Sequence, residues 1–303
     1  MTDILIATHN GEKYLSQQLD SLFRQSYQNF RIIINDDGST DKTPEIIEEY
    51  KGKYPDRIEV ISKRGKTRGA KDSFFELMTH CKSDYALFCD QDDVWMENKI
   101  EEFRKKMTEL ENGCKEVPAL VFSDLFVVDK DLNLICSSFM KYEKLNPSRI
   151  QINRLLVQNV VTGCALMVNR KLIEMAVKCS STADIIMHDW WCALVAAQFG
   201  RIGYVNQPLV KYRQHGLNSI GAVNVRSVAY GLSRFHNLEN VRKAVLNTEK
   251  QALLFSKVYE LAGSVSELYG MFPESGRLKR LHLRFKYSLF KNGLFRNLGL
   301  LLV

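Results

Sequence analysis

The first ninety residues alternate between two hydrophobic periodicities, and this alternation restricts the fold more than any other property of the chain. Asp3–Thr8 is a short apolar run of strand type. Glu12–Gln25 then carries Tyr14, Leu15, Leu19, Leu22 and Phe23 at helical spacing. Phe30–Asn35 reads as a second strand, and Thr40 and Asp41 offer N-cap chemistry for a helix through Tyr50. Arg57–Ser62, Gly69–Cys81 and Tyr85–Cys89 continue as strand, helix and strand. Strands alternating with helices require crossover connections and a parallel sheet. Ligands of such sheets bind beyond the carboxyl ends of the strands. Three ends here are polar: Thr8-His9-Asn10, Asp36-Asp37-Gly38-Ser39 and Asp90-Gln91-Asp92-Asp93. They are expected to converge on one crevice.

The third of these ends concentrates charge. Asp90, Asp92 and Asp93 crowd the end of an apolar strand, and no cation stands among them in sequence. A solvated acidic turn is one reading. The other is a site for an oxygen-loving cation, Mg²⁺ or Mn²⁺, which relieves the repulsion and brings a phosphate-bearing ligand with it.

The second half is less regular. Ala119–Asp124 reads as a strand, and Phe126–Cys136 as a hairpin turning at Asp129–Asn133. Gly163–Val168 is an apolar strand leading to a helix over Arg170–Lys178. His188-Asp189-Trp190-Trp191 opens a helix to Phe199, and Arg201–Val205 is a short strand. After Gly221 the pattern is helical and amphipathic to about Phe272, where Pro273–Gly276 breaks it.

Composition bounds the rest. A chain of 303 residues with 45% hydrophobic content supports a sizeable core. Its seven cysteines form no CxxC pair and fit reduced core thiols of a cytosolic protein. No leader-like or membrane-spanning apolar run is apparent. The net charge of +7 is concentrated at one end: Arg277, Lys279, Arg280, Arg284, Lys286, Lys291 and Arg296 face no acid between Ser275 and Val303. Setting these seven aside leaves 35 basic against 35 acidic residues. The neutral body argues against nucleic-acid binding. Leucine and phenylalanine alternate with cations over 277–303, which fits an interfacial helix on an anionic membrane. Packing on a dimer partner or on the chain's own body is the alternative.

The motifs Ile4–Gly11, Ile34–Asp41 and Cys89–Trp95, in that order and at matching strand ends, resemble the family 2 glycosyltransferases. The resemblance spans about residues 1–220 and implies an α/β fold of GT-A type, a Rossmann-like mixed, mainly parallel sheet flanked by helices, with a helical C-terminal extension over 221–303. Within it, 1–115 is the nucleotide-sugar half and 116–220 the acceptor half.

The resemblance also implies roles. Ala7, Thr8 and Asn10 would line the nucleotide, with Asp90 and Gln91 also at the donor. Asp37 would accept the N3–H of uracil or thymine, since a carboxylate only accepts. Arg68 and Lys71 are candidates for base or phosphate contact. Asp92 would hold the metal, with His215 as a further ligand or bonded to the diphosphate, while Asp93 reads as a helix N-terminal acid. Asp189 would be the catalytic base, with His188 standing where relatives carry an acid. Trp190 and Trp191 would offer flat faces to a sugar. Arg213 and Asn218 would bind phosphate or sugar, and Gly163 would allow close approach of a ligand.

The function so implied is inverting, metal-dependent transfer of a sugar to a bacterial glycan. Rhamnose from dTDP-rhamnose is the best match for the donor, and the acceptor is expected to be lipid-linked at the inner face of the cell membrane. Alternatives are a UDP-hexose or UDP-N-acetylhexosamine donor, a nucleotidyltransferase and a non-catalytic scaffold. The nucleotidyltransferase would need a glycine-rich basic loop after the first strand, where Thr8–Lys13 has one glycine.

Overall fold

The computed structural model describes residues 1–61, 68–215, 238–293, 296, 297 and 300. The elements run β1 (Thr2–Thr8), α1 (Leu15–Phe23), β2 (Phe30–Asp36), α2 (Thr43–Lys53), β3 (Ile58–Val60), α3 (Ala70–Thr79), β4 (Tyr85–Asp90), β5 (Val94–Trp95) and α4 (Lys99–Glu111). They continue β6 (Ala119–Val128), β7 (Leu134–Cys136), α5 (Phe139–Tyr142), α6 (Ile152–Leu155), β8 (Leu166–Asn169), α7 (Arg170–Ala176), α8 (His188–Phe199) and β9 (Arg201–Arg213). Three further helices follow: α9 (Leu238–Val258), α10 (Val265–Gly270) and α11 (Arg277–Lys286).

The strands form one nine-stranded sheet in the order β3-β2-β1-β4-β8-β6-β9-β5, with β7 paired to β6. β3, β2, β1 and β4 are parallel neighbours, as their helical crossovers require. Beyond β4 the sheet is mixed: β8 is antiparallel to both β4 and β6, while β9 is parallel to β6. Alternate strand residues feed two cores. Leu5, Ile33, Phe88 and Phe122 pack with α3, α7 and α8, and Ile4, Ile6, Ile32 and Leu87 pack with α1, α2 and α4.

Several elements differ from their sequence reading. β3 is three residues long, and α2 starts at Thr43, where the Asp41 carboxylate accepts the Thr43 N–H at 3.0 Å. β6 runs through Val128, so the expected strand and hairpin arm are one element, and the Asp129–Asn133 turn stands as expected. Gly163–Ala165 is a 3₁₀ turn before the strand proper. β9 has 13 residues and absorbs Tyr212 and Arg213, which read as loop because polar residues interrupt its apolar pattern. Asp93 is no helix N-terminal acid: β5 intervenes before α4, and Asp93 is buried, accepting the Arg213 N–H at 3.0 Å.

The C-terminal helices join the same core as α8. Phe255 of α9 meets Trp191 edge to face with ring centroids 5.3 Å apart, and Tyr269 and Phe272 are fully buried beside them. The basic segment is not one continuous helix. α11 ends at Lys286, and the described residues after it pack on the chain's own body. Among the described residues no helix is long and apolar enough to cross a membrane.

Candidate active site

The tips of β1, β2 and β4 meet at a cavity of about 670 Å³, lined there by Ala7, Thr8, His9, Asp37, Asp90 and Asp92. The parallel register places Ala7 beside both Asn35 and Asp90, so convergence follows from strand pairing alone. The loops are stapled to one another. Gln91 bridges the His9 backbone, accepting from its N–H and donating to its carbonyl, both at 2.9 Å. A Cβ on Gly11 would collide with Gln91 Oε1, so a larger residue there would displace the Gln91 side chain from this bridge. The Thr8 hydroxyl donates to Asp36 at 2.8 Å. Asp37 accepts the Arg68 N–H at 2.9 Å and the Gly69 N–H at 2.6 Å, which holds Gly69 at φ 88° at the start of α3.

The acids after β4 occupy two environments. Asp92 faces the cavity, with its Oδ2 2.7 Å from His215 Nε2, and the His215 ring leans on Tyr14 at 5.0 Å. Asp90 also lines the cavity; burial, then the nearby Asp92 and Asp189 charges, push its carboxyl up to about 7. Burial and the neighbouring acids likewise raise Asp93. A partner that the sequence reading missed lies beneath them. Lys99 is fully buried, its Nζ donating to Cys164 O at 2.6 Å and standing 3.3 Å from the Trp95 ring centroid. It couples electrostatically to Asp93 and Asp90, and burial draws its pKa down to about 7. It is the first residue of α4, separated from the acids by β5, and no local pattern in the sequence marked the pairing.

Two donor sets could take a cation. Asp90, Asp93 and Cys164 place ligand atoms within 4.8 Å of one another. Asp93 and Cys164 are sealed in the core, however, and burial raises the Cys164 thiol, which is the wrong donor for Mg²⁺ or Mn²⁺. Asp92 and His215 suit a cation better. Their separation matches adjacent ligands of one ion, about 3 Å for metal–ligand bonds of about 2.1 Å. The cavity leaves room for phosphate oxygens to complete the shell, as Mg²⁺ sites commonly require.

The same cavity is lined by His188, Asp189 and Trp190, from the first turn of α8. Burial pushes the Asp189 carboxyl up to about 7, against the pull of the Trp190 and Gly163 N–H groups. His188 is buried against Phe74 and Phe88, ring centroids 4.1 and 4.9 Å away, and neither nitrogen has a partner. Burial lowers its pKa to about 3, so it stays neutral. Gly163 makes room for this pair rather than for a ligand alone, since a Cβ there would lie 3.0 Å from His188 Nε2 and 3.7 Å from Asp189 Oδ2.

Other expected site residues are committed elsewhere. Lys71 donates from Nζ to the carbonyls of Thr182 and Ile185, clamping that loop to α3. Arg68 reaches the site through its backbone, while its side chain is 3.9 Å from Glu76. Asn10 takes the left-handed conformation at φ 47° and accepts the Thr40 N–H, leaving His9 on the cavity wall. Arg213 is buried behind the acids, donating to the carbonyls of Asp92 and Lys130 and to Gln17 Oε1. It braces the loop from behind rather than lining the cavity. Trp191 is a core residue, fully buried and donating to Ala176 O at 3.1 Å, whereas Trp190 lines the cavity and donates to Leu155 O at 2.6 Å. One residue of helical rotation, about 100°, separates these fates. Asn218 and the basic cluster at 63–67 lie outside the described residues.

The glycosyl transferase family 2 model matches residues 3–174. The chain belongs to this family. It is therefore a glycosyltransferase, and the mixed sheet with its flanking helices is the GT-A fold. The dTDP-rhamnosyl transferase RfbG of Shigella flexneri is 29% identical over 224 residues, covering 72% of this chain and 74% of that protein. A putative glycosyltransferase of Bacillus subtilis, EpsE, is 33% identical over 98 residues, 32% of this chain and 35% of that one. Among solved structures, S. aureus TarS 1-349 in complex with UDP-GlcNAc superposes with a TM-score of 0.57 at 12% identity, covering 95% of this chain and 83% of that one. The mannosyltransferase PcManGT from Pyrobaculum calidifontis, in complex with GDP-Man and Mn²⁺, gives 0.53 at 13% identity over 95% and 79%. These two share the fold.

Proposed function

We propose that the cavity transfers a sugar, with inversion, from a nucleoside-diphosphate donor to a hydroxyl of a bacterial glycan. The observation that carries this is one cavity lined both by the acids Asp37, Asp90 and Asp92 at the strand tips and by Asp189 at the start of α8. Asp37 accepts the imide N–H of a uracil or thymine ring, since a carboxylate only accepts. Asp92 and His215 hold a divalent cation, Mg²⁺ or Mn²⁺. When bound, that ion offsets the charge of the departing diphosphate. Asp189 takes the proton of the acceptor hydroxyl, whose oxygen bonds to the anomeric carbon as the bond from that carbon to the phosphate oxygen breaks. The raised Asp189 carboxyl suits a base working near neutral pH. His188 is too weak a base for this step.

The donor is read as dTDP-rhamnose, on the likeness to RfbG. The acceptor is read as lipid-linked and the enzyme as peripheral on the inner face of the membrane. The outward face of α11 supports that reading. Leu278 and Phe285 are 84% and 63% exposed and share a stripe with Leu281, flanked by Arg277, Lys279 and Lys286.

A panel of nucleotide sugars tests the reading, with Mn²⁺ present or chelated. Turnover of dTDP-rhamnose above the UDP-sugars, lost on chelation, is expected. Asp92→Ala should weaken metal-dependent donor binding at least about 10-fold. Donor affinity unaffected by chelation and by that substitution would remove the cation from the mechanism. Preferential use of a UDP-sugar would reassign the donor.

A further inference from the structure

The helix that carries Asp189 begins without a side-chain cap. Met187 precedes α8 in an extended conformation, at φ −154° and ψ 152°, and makes no capping hydrogen bond. The place of Asp189, two residues on, therefore depends on the chain that leads into the helix. Residues 181–187 form a turn and no helix or strand, with the Ile185 N–H donating to Thr182 O at 2.9 Å. Ile186 and Met187 line the cavity, so the path of this segment also shapes the wall beside Asp189.

Two other elements hold the segment. From the first turn of α3, Lys71 Nζ donates to Thr182 O at 2.7 Å and to Ile185 O at 2.9 Å. The adjacent Asp72 accepts the Thr182 hydroxyl at 2.6 Å. Three residues beyond Lys71, Phe74 packs on His188. That same turn of α3 is held in place by Asp37, which accepts the Gly69 N–H. From α9, Gln251 Oε1 accepts the Ile186 N–H at 2.8 Å, at the third residue before Asp189.

Gln251 carries a cost that packing alone does not explain. The residue is 1% exposed, and its Nε2 has no hydrogen-bond partner among the described residues. A buried amide with one end unmet lowers stability, and an apolar side chain at this place in α9 would avoid that penalty. What Gln251 adds is its grip on Ile186. Neither Lys71 nor Gln251 belongs to the described wall of the cavity, so each acts through the segment and not on a substrate.

We infer that Lys71 and Gln251 are positioning residues for the catalytic base: they clamp residues 182–187 and so fix where the Asp189 carboxylate stands. Proton transfer needs the base within hydrogen-bond reach of the acceptor hydroxyl, and a displacement of about 1 Å is enough to slow the step about 100-fold. The inference rests on the reading of Asp189 as the base. It brings α9, outside the residues matched by the family model, into the catalytic machinery.

The test uses the full chain and three readouts. Amide hydrogen exchange follows residues 182–190, and calorimetry gives the Kd of dTDP. Turnover is followed as hydrolysis of dTDP-rhamnose, or of the UDP-sugar that replaces it in the panel above, with water in the acceptor's place. Lys71→Met and Gln251→Leu should each speed exchange over 182–190 and lower kcat about 10–100-fold, with the Kd of dTDP within about twofold of wild type. Lys71→Arg, which still offers donors to both carbonyls, should recover most of kcat. Either variant decides alone should the other not fold. A loss of dTDP affinity in Lys71→Met that matches its loss of kcat would make Lys71 a donor ligand and overturn the inference. Unchanged exchange, or faster exchange with kcat unaltered, overturns it equally. Exchange needs no turnover, so the clamp is decided even where wild type turns over no nucleotide sugar, an outcome that would sink the transfer reading instead.

Discussion

The two ends of the cavity are built by different rules. At one, adjacent strand tips bring Thr8, Asp37 and Asp90 together through a regular parallel register, and backbone amides hold the loops. At the other, the wall comes from α8, the 143–158 segment and the tail residues Lys291 and Arg296, which are far apart in sequence and are joined by side-chain contacts. Register fixes the first almost without regard to side chains elsewhere. Long-range packing fixes the second, so its residues divide sharply between chemistry and support. Substitutions at the first turn of α8 should expose that division.

The largest effect is expected at Asp189. Asp189→Asn should lower kcat by about 10²–10⁴-fold with donor Kd within about twofold, as loss of a general base does. In the parent, kcat/KM should rise with pH and level off above about 7, where the carboxyl is ionised. The stability change has the opposite sign. The folded carboxyl titrates above its ordinary 3.8, so between there and about 7 the unfolded chain binds fewer protons and stability falls as pH rises. The amide variant should therefore melt higher than the parent at neutral pH, with the difference vanishing below about pH 4. An activity loss accompanied by a lower melting point would mark Asp189 as structural.

Next come the neighbouring tryptophans. Trp191→Ala should cost about 3–5 kcal/mol in chemical unfolding, the usual result of emptying a fully buried aromatic site. Trp190→Ala should cost markedly less stability and should instead raise the acceptor KM. Similar stability losses at both positions would mean that the two sides of α8 are equally structural.

The smallest effect concerns His188. His188→Phe keeps a ring between Phe74 and Phe88 and removes two unpartnered nitrogens. The folded imidazole titrates near 3 against an ordinary 6.5, so the parent loses stability as pH falls through that window. The phenylalanine variant should resist acid unfolding better, by about 1–3 kcal/mol, the cost of an unmet buried polar group. Equal acid midpoints would show that His188 finds a partner when the chain is in solution.

The sequence was most readable where local pattern and tertiary role coincide. The strands and helices of the first ninety residues, with α1 and β3 shorter than read and α2 starting later, the three polar strand ends and the start of α8 at His188 stand where periodicity put them. It was least readable where one side chain could serve either of two surfaces. Arg213 and Lys71 are cations beside site loops, yet Arg213 is turned into the support behind the acids and Lys71 clamps a neighbouring loop. Their sequence neighbourhood gives no sign of direction.

By itself the sequence determined the parallel half of the sheet, the family and the three strand tips that meet. The sheet half and its tips follow from short-range periodicity and the fixed geometry of a parallel register, and the family from the motifs and the family model that match it. The tertiary structure decided that Lys99 lies beneath the acids, that Trp191 is core while Trp190 is wall, and that the basic tail reaches back to the cavity. Those outcomes depend on which surfaces meet across long stretches of chain, and burial and charge compensation select them only once the sheet has closed.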